Sequence, residues 1–138
     1  MSCLAVLDTN VLVSALLTAK DDAATVQVVE RMLAGEIIPL YSGPILSEYR
    51  EVLHRTRFGF HAGTVDRLID AVERFGISVE PGPIAAVLPD SKDLPFYAVV
   101  MDKRDEGVYL VTGNLRHFPR EPFIVTPREL LELLESGA

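Results

Sequence analysis

The chain has 138 residues, of which 49% are hydrophobic, so it is long enough for one domain with a substantial core and too apolar for a disordered protein. Its net charge of −7 excludes a generic basic nucleic-acid binder, although Lys and Arg still cluster locally. The single cysteine excludes an intramolecular disulfide framework and favours a reducing compartment. No apolar run approaches the ~20 residues of a membrane span. We therefore expect a single domain over residues 1–138, cytoplasmic and without a membrane anchor.

Strand-like and helix-like segments alternate along the chain. The apolar runs predict strands at residues 3–7, 37–41, 77–80, 108–111 and 123–125. Helical spacing and capping signals predict helices at 11–17, around 28–33, at 44–56 and 62–75, from Asp93 to Met101, and from Pro127 onward. This alternation predicts a three-layer α/β/α fold with a central parallel sheet of about five strands.

Polar residues follow the first and fourth predicted strands directly. The first strand runs into Asp8-Thr9-Asn10, and the fourth runs into Thr112-Gly113-Asn114. In an open parallel sheet, ligands bind beyond the carboxyl ends of the strands. A carboxylate after a buried strand is costly unless it is paired or bound to a cation. Asp8 therefore indicates either a metal ligand or a helix cap, and the two roles are compatible.

Three further acids lie on or beside predicted helices. Glu48 lies at the edge of its helix's apolar stripe, where a solvated glutamate is the ordinary interpretation. Asp93 is in a position typical of a helix cap, unless Asp90 is the cap and Asp93 points elsewhere. Taken together, these acids and Asp8 predict a site for a hard divalent cation, because gathered carboxylates otherwise repel one another.

The order of these motifs resembles the PIN-domain family, of the kind found as the toxin in toxin–antitoxin pairs. The resemblance spans nearly the whole chain. It is carried by Leu7-Asp8-Thr9-Asn10-Val11-Leu12, by Ser47-Glu48, by Asp93-Leu94-Pro95-Phe96-Tyr97-Ala98, and by Leu110-Val111-Thr112-Gly113-Asn114 with His117-Phe118.

The resemblance implies a metal-dependent ribonuclease. Mg²⁺ or Mn²⁺ would be held by the catalytic acids Asp8, Glu48 and Asp93, with an RNA substrate, a cognate antitoxin and a homodimer as partners. The family's fourth acid falls on Asn114, which can coordinate a cation through its carbonyl oxygen but brings no charge. Asp90 could supply the carboxylate that Asn114 lacks. The expected supporting residues are Asn114, Asp90, Thr9, Asn10 and Thr112.

Basic residues and apolar helix faces indicate where partners would bind. Arg50, Arg55 and Arg116 are the predicted RNA contacts, whereas the three histidines are interpreted as surface or structural residues. The predicted dimer face is either the helix with Val28, Val29, Met32 and Leu33 or the leucine-rich final helix.

Two alternatives remain open from the sequence. Asn114 would also fit a catalytically weakened PIN-like interaction module. A haloacid-dehalogenase-type phosphohydrolase also begins with an Asp after its first strand, but it requires a second Asp where this chain has Asn10.

Overall fold

A computed structural model describes residues 2–137 and places a parallel sheet at the centre of the protein. The strands are β1 (Cys3–Leu7), β2 (Ile37–Tyr41), β3 (Ile77–Ser78), β4 (Tyr109–Val111) and β5 (Ile124–Val125). Their order across the sheet is β3-β2-β1-β4-β5, and every neighbouring pair is parallel. The predicted α/β/α class with about five strands is confirmed.

Helices connect the strands and cover the sheet. They are α1 (Thr9–Leu17), α2 (Ala24–Leu33), α3 (Gly43–Leu53), α4 (Ala62–Phe75), α5 (Leu94–Asp102) and α6 (Pro127–Glu135). Single 3₁₀ turns lie at Ser91–Asp93, Arg104–Glu106 and Leu115–His117. α2 packs against β2 and α6, whereas α5 packs against β1, β4 and α3.

Local capping fixes where several helices begin. The Ser42 hydroxyl accepts a hydrogen bond from the Ile45 N–H at the start of α3. At α6, Thr126 and Glu129 form the reciprocal capping box that the sequence predicts. Because caps satisfy backbone N–H groups that a helix leaves unpaired, these ends are set by the local sequence.

The core centres on β1, whose residues Ala5, Val6 and Leu7 are fully buried. The fully buried Tyr49 and Phe96, from α3 and α5, pack with ring centroids 6.1 Å apart. The Tyr49 hydroxyl donates a hydrogen bond to the Leu7 carbonyl. This bond ties α3 to the last residue of β1.

The sheet order creates a crevice beside the end of β1. The chain runs from β1 outward to β2 and β3, then returns to place β4 on the other side of β1. The connections after β1 and β4 therefore leave in opposite directions, and such a switch point is where open α/β sheets bind ligands. The Asp8 N–H donates to the Val111 carbonyl at 2.9 Å, which holds the two strand ends together.

Several predicted boundaries differ from the structure. α1 begins earlier, at Thr9, while β3, β4 and β5 are shorter than predicted. α3 ends at Leu53 instead of Thr56, so Arg55 lies in the turn that follows the helix. Turn hydrogen bonds to the Val52 and Arg55 carbonyls replace the last helical turn there.

The predicted dimer face is wrong in part. Val28 and Met32 of α2 are fully buried within the protein, as is Leu130 of α6, because these two helices pack against each other. Leu17 and Leu33, the last residues of α1 and α2, are exposed.

Candidate active site

A cavity of about 660 Å³ opens at the carboxyl edge of the sheet. Its wall includes the acids Asp8, Glu48, Asp90 and Asp93, together with His117. The structure thus brings the three acids predicted as catalytic into one cavity: Asp8 directly follows β1, Glu48 lies on α3, and Asp93 ends the 3₁₀ turn before α5.

Asp8 is the most buried of these acids, with only 3% of its surface exposed. Thr112 Oγ1 donates a hydrogen bond to its Oδ2 at 2.8 Å, and Asn10 Nδ2 donates to the same oxygen at 3.3 Å. Burial raises the pKa of Asp8 to about 6, opposed by the Thr112 hydrogen bond and reinforced by the charges of Asp93 and Glu48. The carboxylate is therefore held in place but costly to ionise.

The β4 loop is connected to the β1 loop through Asn10. The Gly113 N–H donates to Asn10 Oδ1 at 3.0 Å, and the Asn114 N–H donates to Thr112 Oγ1 at 3.0 Å. Thr112 accepts from Asn114 and directs its own proton to Asp8, so the Thr-Gly-Asn segment orients the Asp8 carboxylate. Asn114 itself is half-buried, and it precedes the 3₁₀ turn beside the cavity.

Glu48 reaches the cavity from the middle of α3. The Thr9 hydroxyl donates a short hydrogen bond to Glu48 Oε2 and so links α1 to α3. Burial raises the pKa of Glu48 despite this bond, and the charge of Asp93 raises it further. The ordinary solvated interpretation of a mid-helix glutamate therefore does not hold at this position.

Asp90 and Asp93 have different roles: one is a cap and the other faces the cavity. Asp90 accepts the Lys92 N–H at 2.9 Å and caps the short 3₁₀ turn. Asp93 is left to face the cavity, where its Oδ2 lies 2.9 Å from His117 Nδ1. Burial raises the pKa of Asp93, His117 lowers it, and Asp90 raises it.

His117 is the site residue that the sequence analysis did not include. One ligand atom each from Asp90, Asp93 and His117 lie within 4.8 Å of one another, close enough to share a metal ion. The available signal was its position three residues after the Thr-Gly-Asn segment, because a 3₁₀ turn brings that residue back over the strand end.

The predicted RNA contacts lie at three separate locations. Arg55 lines the cavity and pairs with Glu51 at 2.8 Å. Arg50 instead pairs with Glu73 on α4 at 3.0 Å, and Arg116 lines a separate depression of about 240 Å³. Arg57, Lys92 and Phe58 also line the acidic cavity, although they were not singled out as contacts.

A family comparison agrees with this architecture. The family model for the PIN domain matches residues 5–116. The chain belongs to the PIN-domain family, whose members are generally metal-dependent nucleases. This assignment replaces the haloacid-dehalogenase alternative.

A comparison with curated proteins found no match. Within residues 2–137, every helix is too short or too polar to cross a membrane.

Proposed function

We propose that the protein is a metal-dependent endoribonuclease that hydrolyses RNA phosphodiester bonds. The observation that carries the proposal is the buried Asp8, gathered with Glu48 and Asp93 in one cavity of a PIN domain. All three carboxyl groups have raised pKa values, with burial as the main cause; the charge of Asp93 raises the pKa of Asp8 and of Glu48 further, and the charge of Asp90 raises that of Asp93. A hard divalent cation relieves both costs.

We propose Mg²⁺ or Mn²⁺ as the bound ion, because the cavity wall offers carboxylate oxygens. We propose that Asp8, Glu48 and Asp93 are the catalytic metal-holding acids, and that Asp90 adds the carboxylate that Asn114 lacks. Carboxylate oxygens suit both ions, whereas an imidazole nitrogen is better suited to a transition metal. His117, close to Asp90 and Asp93, therefore favours Mn²⁺ over Mg²⁺.

The chain's own residues would position the reaction. A bound divalent ion supplies an activated water and neutralises the charge that develops on the phosphate. Thr112 and Asn10 hold Asp8 by hydrogen bonds, and Thr9 holds Glu48. Fixed ligands of this kind avoid reorganisation during the reaction. Because the activated water would be the nucleophile, this mechanism requires no protein nucleophile.

A second candidate is a catalytically weakened PIN-like interaction module. The observation that favours it is Asn114, which stands where the family pattern has an acid. The Asn114→Asp variant separates the two functions. Hydrolysis by the variant but not by the parent protein would support the interaction module.

The biological role proposed is that of a toxin, inhibited by a cognate antitoxin. The support is the resemblance of the whole motif order to toxin PIN domains. We also propose that the protein acts in the cytoplasm, where RNA and a reducing environment coincide, and that it forms a homodimer through the exposed leucines Leu17 and Leu33.

The deciding experiment is RNA cleavage with Mg²⁺ or Mn²⁺, measured against a chelator control. Asp8→Asn, Glu48→Gln and Asp93→Asn should abolish or strongly reduce cleavage. Asp70→Asn is a matched control, because it makes the same chemical change at an exposed position on α4. Undiminished cleavage in chelator, or by Asp8→Asn prepared in the same way, would reject the proposal.

A further inference from the structure

The turn between α3 and α4 carries a stack of three side chains. The rings of Phe58 and Phe60 lie nearly parallel, at 8°, with centroids 5.3 Å apart. The guanidinium carbon of Arg57 lies 4.9 Å from the centroid of the Phe58 ring. Gly59, which lies between Phe58 and Phe60 in the sequence, has φ +66°, a backbone conformation that glycine adopts without strain. We call Arg57, Phe58 and Phe60 the aromatic stack.

The two rings have different surroundings. Phe60 is half-buried and packs against the hydrophobic core. Phe58 is also half-buried, but it lies on the wall of the acidic cavity, together with Arg57. Core packing therefore explains Phe60, which anchors the stack, and leaves Phe58 facing the site.

Arg57 keeps its charge available. Arg55 is paired with Glu51, whereas Arg57 makes no ion pair with an acid among residues 2–137. Its position over the Phe58 ring is a cation–π contact, which orients the guanidinium without neutralising it.

We propose that the aromatic stack is a binding platform for one unpaired nucleobase of the strand whose phosphate lies at the carboxylates. The proposal rests on the proposed nuclease function and deepens it by assigning the residues that hold a base beside the carboxylates. Bases stack on aromatic rings and on guanidinium planes, and every base has such a face. A paired base within a duplex has its faces covered, so it would not bind this platform.

Charge explains why such a platform is needed here. Most nucleic-acid binding energy comes from basic side chains on phosphate, but this chain has a net charge of −7 and an acidic cavity. Stacking attracts the base without requiring positive charge. Arg57 then contributes a single cation beside the base, where the adjoining phosphate passes.

The test measures binding of single-stranded oligonucleotides that carry 2-aminopurine, whose emission falls when it stacks. The Asp8→Asn background keeps the strand intact, and the assay is run with Mn²⁺ and with chelator. Phe58→Leu should weaken binding by about 5-fold to 150-fold and remove the quenching, as expected for the loss of one base–aromatic stack. Phe58→Tyr should restore both signals.

Matched controls separate the platform from general effects on stability. Phe75→Leu makes the same change at an exposed aromatic residue on α4 and should bind like the background protein. Melting temperatures of the variants show that each is folded. A series of oligonucleotides, each with one abasic site at a different position, should show weakened binding at one of these positions. With the abasic site at that position, Phe58→Leu should weaken binding no further.

RNA and DNA strands of the same sequence form two further arms. Equal binding supports a platform for the base alone, and tighter RNA binding supports the same platform with added recognition of the 2′-hydroxyl.

If Phe58→Leu binds like Phe75→Leu, or if no abasic position depends on Phe58, the platform is refuted. Phe58-dependent binding without RNA cleavage by the parent protein would refute the nuclease and support the platform. Cleavage and binding both unaffected by Phe58→Leu would leave the nuclease standing and refute the platform.

Discussion

Replacing Asp8 with Asn should make the metal-free protein more stable. The raised pKa of Asp8 means that folding disfavours its ionised form. Asn removes the charge at almost no change in volume. Its amide oxygen can still accept from Thr112 and Asn10, the two donors to Oδ2. The variant thus keeps the hydrogen bonds and loses the cost of a buried charge.

The size of the gain follows from the pKa. The pKa of Asp8 is 3.8 in the unfolded state and about 6 in the folded state. Each pKa unit corresponds to about 1.36 kcal/mol, so ionised Asp8 destabilises the folded state by about 3 kcal/mol. The penalty is absent below about pH 3, grows as the pH rises through the unfolded and then the folded pKa, and is constant above about pH 7. Part of the shift comes from Asp93 and Glu48, so we expect a gain of about 2–3 kcal/mol at neutral pH.

Urea unfolding of both proteins in chelator measures this difference directly. The gain should shrink as the pH falls from about 7 to about 4, because the folded parent then carries a protonated Asp8. Adding Mn²⁺ should stabilise the parent more than the variant, since an ion that binds the folded state raises its stability and the variant lacks the Asp8 carboxylate as a ligand. Equal stability of the two proteins at neutral pH, or a variant less stable than the parent, would refute the reasoning.

Four further predictions test the site and the assembly. Thr112→Val should raise the pKa of Asp8 further and lower the free energy of unfolding by about 1–3 kcal/mol, as NMR titration and urea unfolding would show. Mn²⁺ affinity by calorimetry should weaken at least about tenfold per pH unit below about pH 6, because a bound Asp8 must be ionised; a flat profile would contradict this. His117→Gln should weaken Mn²⁺ binding more than Mg²⁺ binding, and equal losses would argue against a nitrogen ligand. Sedimentation at micromolar concentration should show a dimer that Leu33→Glu dissociates; a species of only 15.2 kDa would reject it.

The sheet and most element positions could be predicted from the sequence because their signals are local. β1 and β2 have the predicted bounds, as does α4, whose apolar residues repeat at helical spacing up to Gly76. The end of α3 was misplaced because the turn after Leu53 is held by backbone hydrogen bonds that helical periodicity does not encode.

The site was predictable only in part. Asp8 and Thr112 follow strands, so their meeting at one sheet edge follows from parallel topology. His117 was missed because its approach to Asp93 depends on a 3₁₀ turn and on Asp90 taking the capping role. The pairing of Arg50 with Glu73 depends on how α3 packs against α4, which no local pattern specifies.

The hydrogen bond from Thr112 to Asp8 joins residues 104 positions apart, and this separation bears on synthesis. At about 5–20 residues per second, a ribosome needs about 5–20 s to make the chain between them. During that interval β1 has no β4 beside it and Asp8 lacks its hydroxyl donor, and for most of it Asp93 has not been made either. A nascent chain is therefore unable to assemble the cavity, however early its first strand and helices form. If the protein has the proposed ribonuclease activity, it would then be inert on the ribosome that is translating its own message.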